Sequence, residues 1–148
     1  LLEHSVDVAE MALAVAATAP GVDHDMVIAG ALLHDIGKTE EISADIGFSY
    51  TEAGHLVGHI TAGALIIDAA ARQVQFLSEA ERKSLLHIVL SHHGSRDKGS
   101  PIGCATREAV IVHYADELNA VLQQFVETAE KEGAGWNFNK MMGSMIRV

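Results

Sequence analysis

His34 and Asp35 stand side by side in Gly30-Ala-Leu-Leu-His-Asp-Ile-Gly-Lys38, between an apolar run and a lysine. An imidazole and a carboxylate together suit a divalent transition metal, and an ammonium group suits an anionic substrate. Further residues of the same chemistry recur along the chain. They are His4, His59 in Gly58-His-Ile-Thr-Ala-Gly63, the pair His92-His93 before Gly94, and Asp116 in His113-Tyr-Ala-Asp-Glu-Leu118. The order is therefore His, His-Asp, His, His-His, Asp. Neutral imidazoles around ionised carboxylates hold dications. Such an ion lowers the pKa of bound water toward ~7 and polarises a phosphoryl group.

The elements that carry these residues read as helices. Residues 1–19 are rich in alanine with spaced apolar side chains, and Pro20-Gly21 ends them. Asp23 is the expected N-cap of a second helix, from about His24 to Asp35. Gly37 is expected to close that helix in the left-handed conformation. Residues 39–54 are weakly periodic and read as a long loop or lid. A helix is expected from about Leu56 to Val74. Ser78-Glu-Ala-Glu81 has the form of a capping box that starts the next helix, ending at His92-His93-Gly94. Residues 94–104 are turn-rich. A last helix runs from about Thr106 to Lys131, Gly133-Ala-Gly135 stops it, and a short amphipathic segment follows. No stretch stands out as alternating at a two-residue period, so the expected class is all-α, one domain over residues 1–148 with about six to seven helices.

Composition narrows the function. The chain has 148 residues, 49% of them hydrophobic, which fits one folded domain. Ten basic residues against 20 acidic give a net charge of −10, which argues against a broad nucleic-acid-binding face. A single cysteine, Cys104, excludes an internal disulfide and a cysteine-rich zinc site. No apolar run reaches the ~18 residues of a membrane span, and no leader is visible. These features predict a reducing, cytoplasmic setting, without membrane association and compatible with a homo-oligomer. The chain opens without Met inside a helical pattern, so a fragment of a longer protein is expected.

The five elements from His4 to Asp116 resemble the HD-domain metal-dependent phosphohydrolases. The stretches Leu1-Leu-Glu-His4, Tyr50-Thr-Glu-Ala-Gly54, Leu90-Ser-His-His-Gly94 and Gly99-Ser-Pro101 are further similar to the HD portion of YhaM-type 3′–5′ exoribonucleases. The resemblance implies that His4, His34, Asp35 and Asp116 hold a first metal. Asp35 would bridge to a second, held by His59 and His92 with His93 as a substitute or extra ligand. One or two divalent ions are implied, of Mn, Fe, Zn, Ni or Mg. Asp35 and Lys38 would be the catalytic pair, with Lys38 on the substrate phosphate and Arg96 and Lys98 as further substrate-binding candidates. The implied substrate is a nucleotide or a short single-stranded nucleic acid. The alternatives are a small-nucleotide or cyclic-nucleotide phosphodiesterase, or a non-catalytic nucleotide-sensing module. His24, His87 and His113 read as core or boundary histidines, His113 one turn before Asp116 as a partner to a ligand. His55 reads as spare and Glu117 as a solvated charge. Met141, Met142 and Met145 read as core filling or a partner surface.

Overall fold

A computed structural model describes residues 1–43 and 47–148. The helices are α1 (Leu2–Ala16), α2 (His24–Leu33), α3 (Lys38–Glu41), α4 (Glu52–Leu56), α5 (His59–Ala71), α6 (Glu79–Ser91) and α7 (Arg107–Glu132), with a 3₁₀ turn at Arg96–Lys98. Two antiparallel ladders complete the chain: β1 (Ile42–Ser43) with β2 (Ser49–Tyr50), and β3 (Trp136–Asn139) with β4 (Ser144–Arg147). Among the described residues the architecture is all-α with two small two-stranded sheets. Among the described residues no helix is long and apolar enough to cross a membrane.

α2 is the axis of the fold. It is apolar almost all round because it is packed on more than one side. Val27 and Ala31 join Val8, Ala12, Ile88, Val112 and Ala115 in the main core, where α1, α6 and α7 meet. Met26, Ala29 and Leu33 pack on a second cluster of Ile67, Leu85 and Val89 from α5 and α6. A Cβ at Gly30 would stand 2.8 Å from Ile88, so the glycine lets α6 close onto α2. The end of α2, with His34 and Asp35, is thereby driven into the middle of the bundle.

The two expected caps, at Asp23 and Ser78, are present, and the structure adds a third at Thr106. The Asp23 carboxylate accepts from the Met26 amide at 3.0 Å. Ser78 and Glu81 form the reciprocal box, at 3.2 and 2.8 Å. Thr106 caps α7 through the Ala109 amide at 3.1 Å.

Five expectations are corrected. Gly37 is not left-handed: its φ of −65° and ψ of −16° are right-handed helical, and it opens α3. Its lack of a side chain answers to packing, since a Cβ there would lie 1.9 Å from the His59 carbonyl oxygen and 2.5 Å from the Gly63 amide. The loop expected over 39–54 holds α3, the β1–β2 ladder and α4, while its residues 44–46 lie outside the described set. The helix expected from Leu56 to Val74 is broken at Gly58, whose φ is 72°, and α5 restarts at His59. The C-terminal segment, read as short and amphipathic with no two-residue alternation, is a hairpin. Trp136-Asn-Phe-Asn139 does alternate, but with inverted polarity: Asn139 is buried, bonding Thr128 at 3.0 Å, while Trp136 and Phe138 are exposed. Met141, Met142 and Met145 are also largely exposed, so they do not fill the core.

Candidate metal centre

Asp35 lies 2% exposed at the centre of a ring of histidines. Its two oxygens face different neighbours. Oδ2 faces His4 Nε2 at 3.8 Å and His34 Nε2 at 3.5 Å. Asp116 Oδ1 closes that side, 3.1 Å from His4 Nε2 and 3.7 Å from His34 Nε2. Oδ1 faces His59 Nε2 and His92 Nε2, each at 3.7 Å. His93 joins this second side, its ring centroid 4.3 Å from that of His92 and 5.2 Å from that of His59. The seven expected ligands, from α1, the end of α2, α5, the end of α6 and α7, thus converge on one place.

Each ring is turned the same way. His34 Nδ1 bonds the Ala31 carbonyl at 2.7 Å and His92 Nδ1 the Val89 carbonyl at 2.6 Å. Both histidines sit where a helix ends, so a carbonyl three residues back is free to accept. His93 Nδ1 bonds the Lys98 carbonyl at 2.9 Å. His4 Nδ1 meets Asn119 Oδ1 at 2.7 Å. His59 Nδ1 meets the two carboxylate oxygens of Glu41 at 3.2 and 3.1 Å, and Glu41 also accepts from the His59 amide at 3.1 Å. With the proton on Nδ1, the Nε2 lone pairs point inward. This is how metal-binding histidines are usually fixed.

The consequence is a cluster of four orphaned polar atoms. Nε2 of His34, His59 and His92 and Oδ1 of Asp35 are buried without a hydrogen-bond partner. Buried polar groups without partners are costly. Ligands about 2.1 Å from one ion stand about 3 Å apart when adjacent and about 4.2 Å when opposite. The observed separations of 3.1–3.8 Å fall in that interval. Two groups of ligand atoms, His4-His34-Asp35 and His59-His92-His93, each lie within 4.8 Å and fit a dication.

The electrostatics favour the binding forms of four candidate ligands, His34, His92, Asp35 and Asp116. Burial lowers the pKa of His34, against the pull of Asp35 and Asp116. Burial, then the neighbouring His34, lowers that of His92 to about 3. Burial works to raise the Asp35 carboxyl, but His34, Lys38 and His92 together outweigh it and keep it below its ordinary value. The same contest, decided by His4 and His34, keeps Asp116 low. His4 is raised by its hydrogen bond to Asp116, against desolvation.

The expected substrate-binding cations are less uniform. Lys38 binds Asp35 Oδ2 directly and lines a cleft of about 380 Å³ that opens on the centre. Lys98 lines a separate pocket beside His92 and His93 and is paired with Glu117, a charge that stays solvent-exposed as expected. Arg96 lies on the exposed 3₁₀ turn. Of the histidines read as structural, His113 Nδ1 bonds the His92 carbonyl at 2.7 Å and His87 Nε2 accepts from the Ala105 amide at 2.9 Å, while His55, read as spare, lies against Tyr50. Gly94, φ 82°, admits His113: a Cβ there would lie 2.3 Å from its Nε2. Two positioning residues escaped the sequence reading, Glu41 and Asn119. Asn119 stands one turn after Asp116, a spacing that offered a clue; Glu41 lay in a stretch taken for a loop.

Comparison with known proteins agrees with this geometry. The HD domain family model matches residues 1–121, a span that includes every candidate ligand. Curated relatives are the 3′-5′ exoribonucleases YhaM of Bacillus subtilis and Bacillus licheniformis, each 38% identical over 135 residues, and that of Bacillus velezensis, 37% identical over the same length. These alignments cover 91% of this chain and 43% of each relative, so the chain spans less than half their length. No solved structure matches it. The chain belongs to the HD domain family.

Proposed function

We propose that the chain is the hydrolytic domain of a divalent-metal-dependent phosphohydrolase that cleaves phosphodiester bonds of nucleotides or oligonucleotides, as a 3′–5′ exoribonuclease. The observation that carries this reading is the four-atom cluster of inward, buried, unpartnered ligand atoms around Asp35. His4, His34, Asp35 and Asp116 would hold one ion. His59, His92 and His93 would hold a second, with Asp35 shared. Such ions supply Lewis acidity and a hydroxide near neutral pH.

The chain's own groups do the rest. Asp35 presents one oxygen to each side and so sets the spacing of the two sites. The ligand set contributes two carboxylates and otherwise neutral imidazoles, so a loaded centre would be locally positive within a chain of charge −10. That draws one phosphate in without attracting a long polyanion along the surface. Lys38 is placed to take a phosphoryl oxygen in exchange for Asp35. Glu41 and Asn119 hold the rings of His59 and His4 against rotation.

The ion is drawn from Mn, Fe, Zn, Ni or Mg, since mixed nitrogen and oxygen ligands admit all of them. We assign residues 1–148 to one domain, supported by the bonds of Asn139 to Gln124 and Thr128 that tie β3 to α7. A cytoplasmic setting and a homo-oligomer are part of the same proposal. The test is turnover of a panel of short RNA, mononucleotides and cyclic nucleotides by protein purified without chelator. Hydrolysis of RNA from its 3′ end, lost in Asp35→Ala, supports the reading. A panel left intact by metal-loaded protein defeats it.

A further inference from the structure

The cleft in front of Asp35 has a wall that takes no part in holding an ion. His4, Asp35 and Lys38 form its ionic side, while Leu1, Ile42 and Phe48 supply the other. Phe48 is 90% exposed, and among the described residues no ring stacks on it. Tyr50, paired with Ile42 across the same small ladder, has its own ring partner, His55, at 5.3 Å. A lone exposed phenylalanine needs no explanation by itself. Here it stands at the rim of a cleft whose opposite side is charged, the arrangement of sites that bind one small amphipathic ligand. At about 380 Å³ the space suits a single nucleotide rather than a strand. The net charge of −10 adds the second argument: a nucleic acid is not held here by cations along its length, so grip beyond the phosphate must come from the base.

We infer that Phe48, with Ile42 and Leu1 beside it, is a stacking platform for the base of the nucleotide whose phosphate lies over Asp35 and Lys38. This rests on the phosphohydrolase reading for the identity of the phosphate site. Stacking tolerates any base, because each has a π-face. The platform therefore selects nucleotides over other phosphate esters without selecting sequence, as the removal of successive terminal nucleotides requires.

The test is binding, separate from turnover. Isothermal titration calorimetry compares adenosine 5′-monophosphate with ribose 5-phosphate, which keeps the sugar and phosphate and lacks the base. The wild-type chain is expected to prefer the nucleotide by about 5- to 150-fold, the worth of one stacked base. Phe48→Ala should reduce the ratio toward one and Phe48→Trp should keep it, both with unchanged melting temperature, since the side chain is outside the core. No preference in the wild type, or a preference that survives Phe48→Ala, overturns the inference. A chain that shows the Phe48-dependent preference yet hydrolyses nothing in the panel defeats the hydrolase reading and leaves the platform standing. A chain that hydrolyses RNA without that preference does the reverse.

Discussion

Gly37→Ala separates the two halves of the centre. Gly37 is right-handed helical, so alanine carries no conformational penalty there, and by itself the change would favour the fold by about 0.4–1 kcal/mol. The contact decides otherwise. The new Cβ would lie 1.9 Å from the His59 carbonyl oxygen, and real Cβ contacts essentially never fall below 3.0 Å, so the backbone at the start of α5 must retreat by about 1.1 Å. Neither neighbour is the end of a flexible side chain; both close atoms, the His59 oxygen and the Gly63 amide nitrogen, are backbone. Ligand constellations tolerate about 0.5 Å of misplacement. His59 therefore leaves the second side of Asp35, while His4, His34 and Asp116, on α1, α2 and α7, stay in place. Overpacking costs about 1–3 kcal/mol, so the melting temperature should fall by about 2–12 °C. Metal content, measured by inductively coupled plasma mass spectrometry after chelator-free purification, should drop from two ions per chain toward one, with hydrolysis lost. Gly63→Ala is the control: its Cβ would meet the Gly37 amide at 3.2 Å, which a shift of a few tenths of an ångström relieves, so it should keep most of the second ion. Full metal content and activity in Gly37→Ala would refute the claim that close approach of α3 and α5 builds the second side.

Glu41→Gln keeps the size of the side chain but removes the charge behind His59; second-ion affinity should fall about 10–100-fold in a competitive chelator titration, with circular dichroism unchanged. Asn119→Ala should weaken the first ion similarly through His4, and equal loss of both ions in either variant would count against the assignment of sides. Lys38→Ala should raise KM for RNA more than it lowers kcat, because the ammonium binds a phosphate already present in the ground state. The metal-free chain should lose stability as pH falls from 6.5: the unfolded state protonates His92 there, the folded state refuses the proton until about pH 3, and His34 acts in the same direction. The slope approaches about 1.4 kcal/mol per pH unit for each such group. His4, with a raised pKa, opposes this only weakly, since its contribution is complete below pH 6.5 and fades as pH rises through its folded value. Urea melts at pH 7, 6 and 5 check the sign, and a midpoint that rises on acidification would contradict it.

Much of the candidate centre was legible because its residues follow the order of a known family, and because caps such as Asp23 and Ser78 are local devices. What the sequence hid is non-local. Gly37 looks like a helix terminator, and only the approach of α5 shows why a side chain is excluded. Glu41 follows a stretch with no clear period, in a four-residue helix too short to leave one, and its partner is 18 residues away. The β3–β4 hairpin reads poorly because its asparagine faces inward and its aromatic residues outward, the reverse of the usual pattern. His93 was an uncertain ligand because two adjacent histidines on a regular helix diverge. They come together here because α6 ends at Ser91 and His93 is turned back by its bond to Lys98.

The central claim is that the Asp35 carboxylate joins two dications. Anomalous diffraction at the manganese edge, from crystals of chelator-free protein loaded with Mn²⁺, addresses it directly. The account predicts two peaks about 3.5–4 Å apart, one beside Oδ2 among His4, His34 and Asp116, the other beside Oδ1 among His59, His92 and His93. No peak within coordinating distance of Asp35 would contradict it.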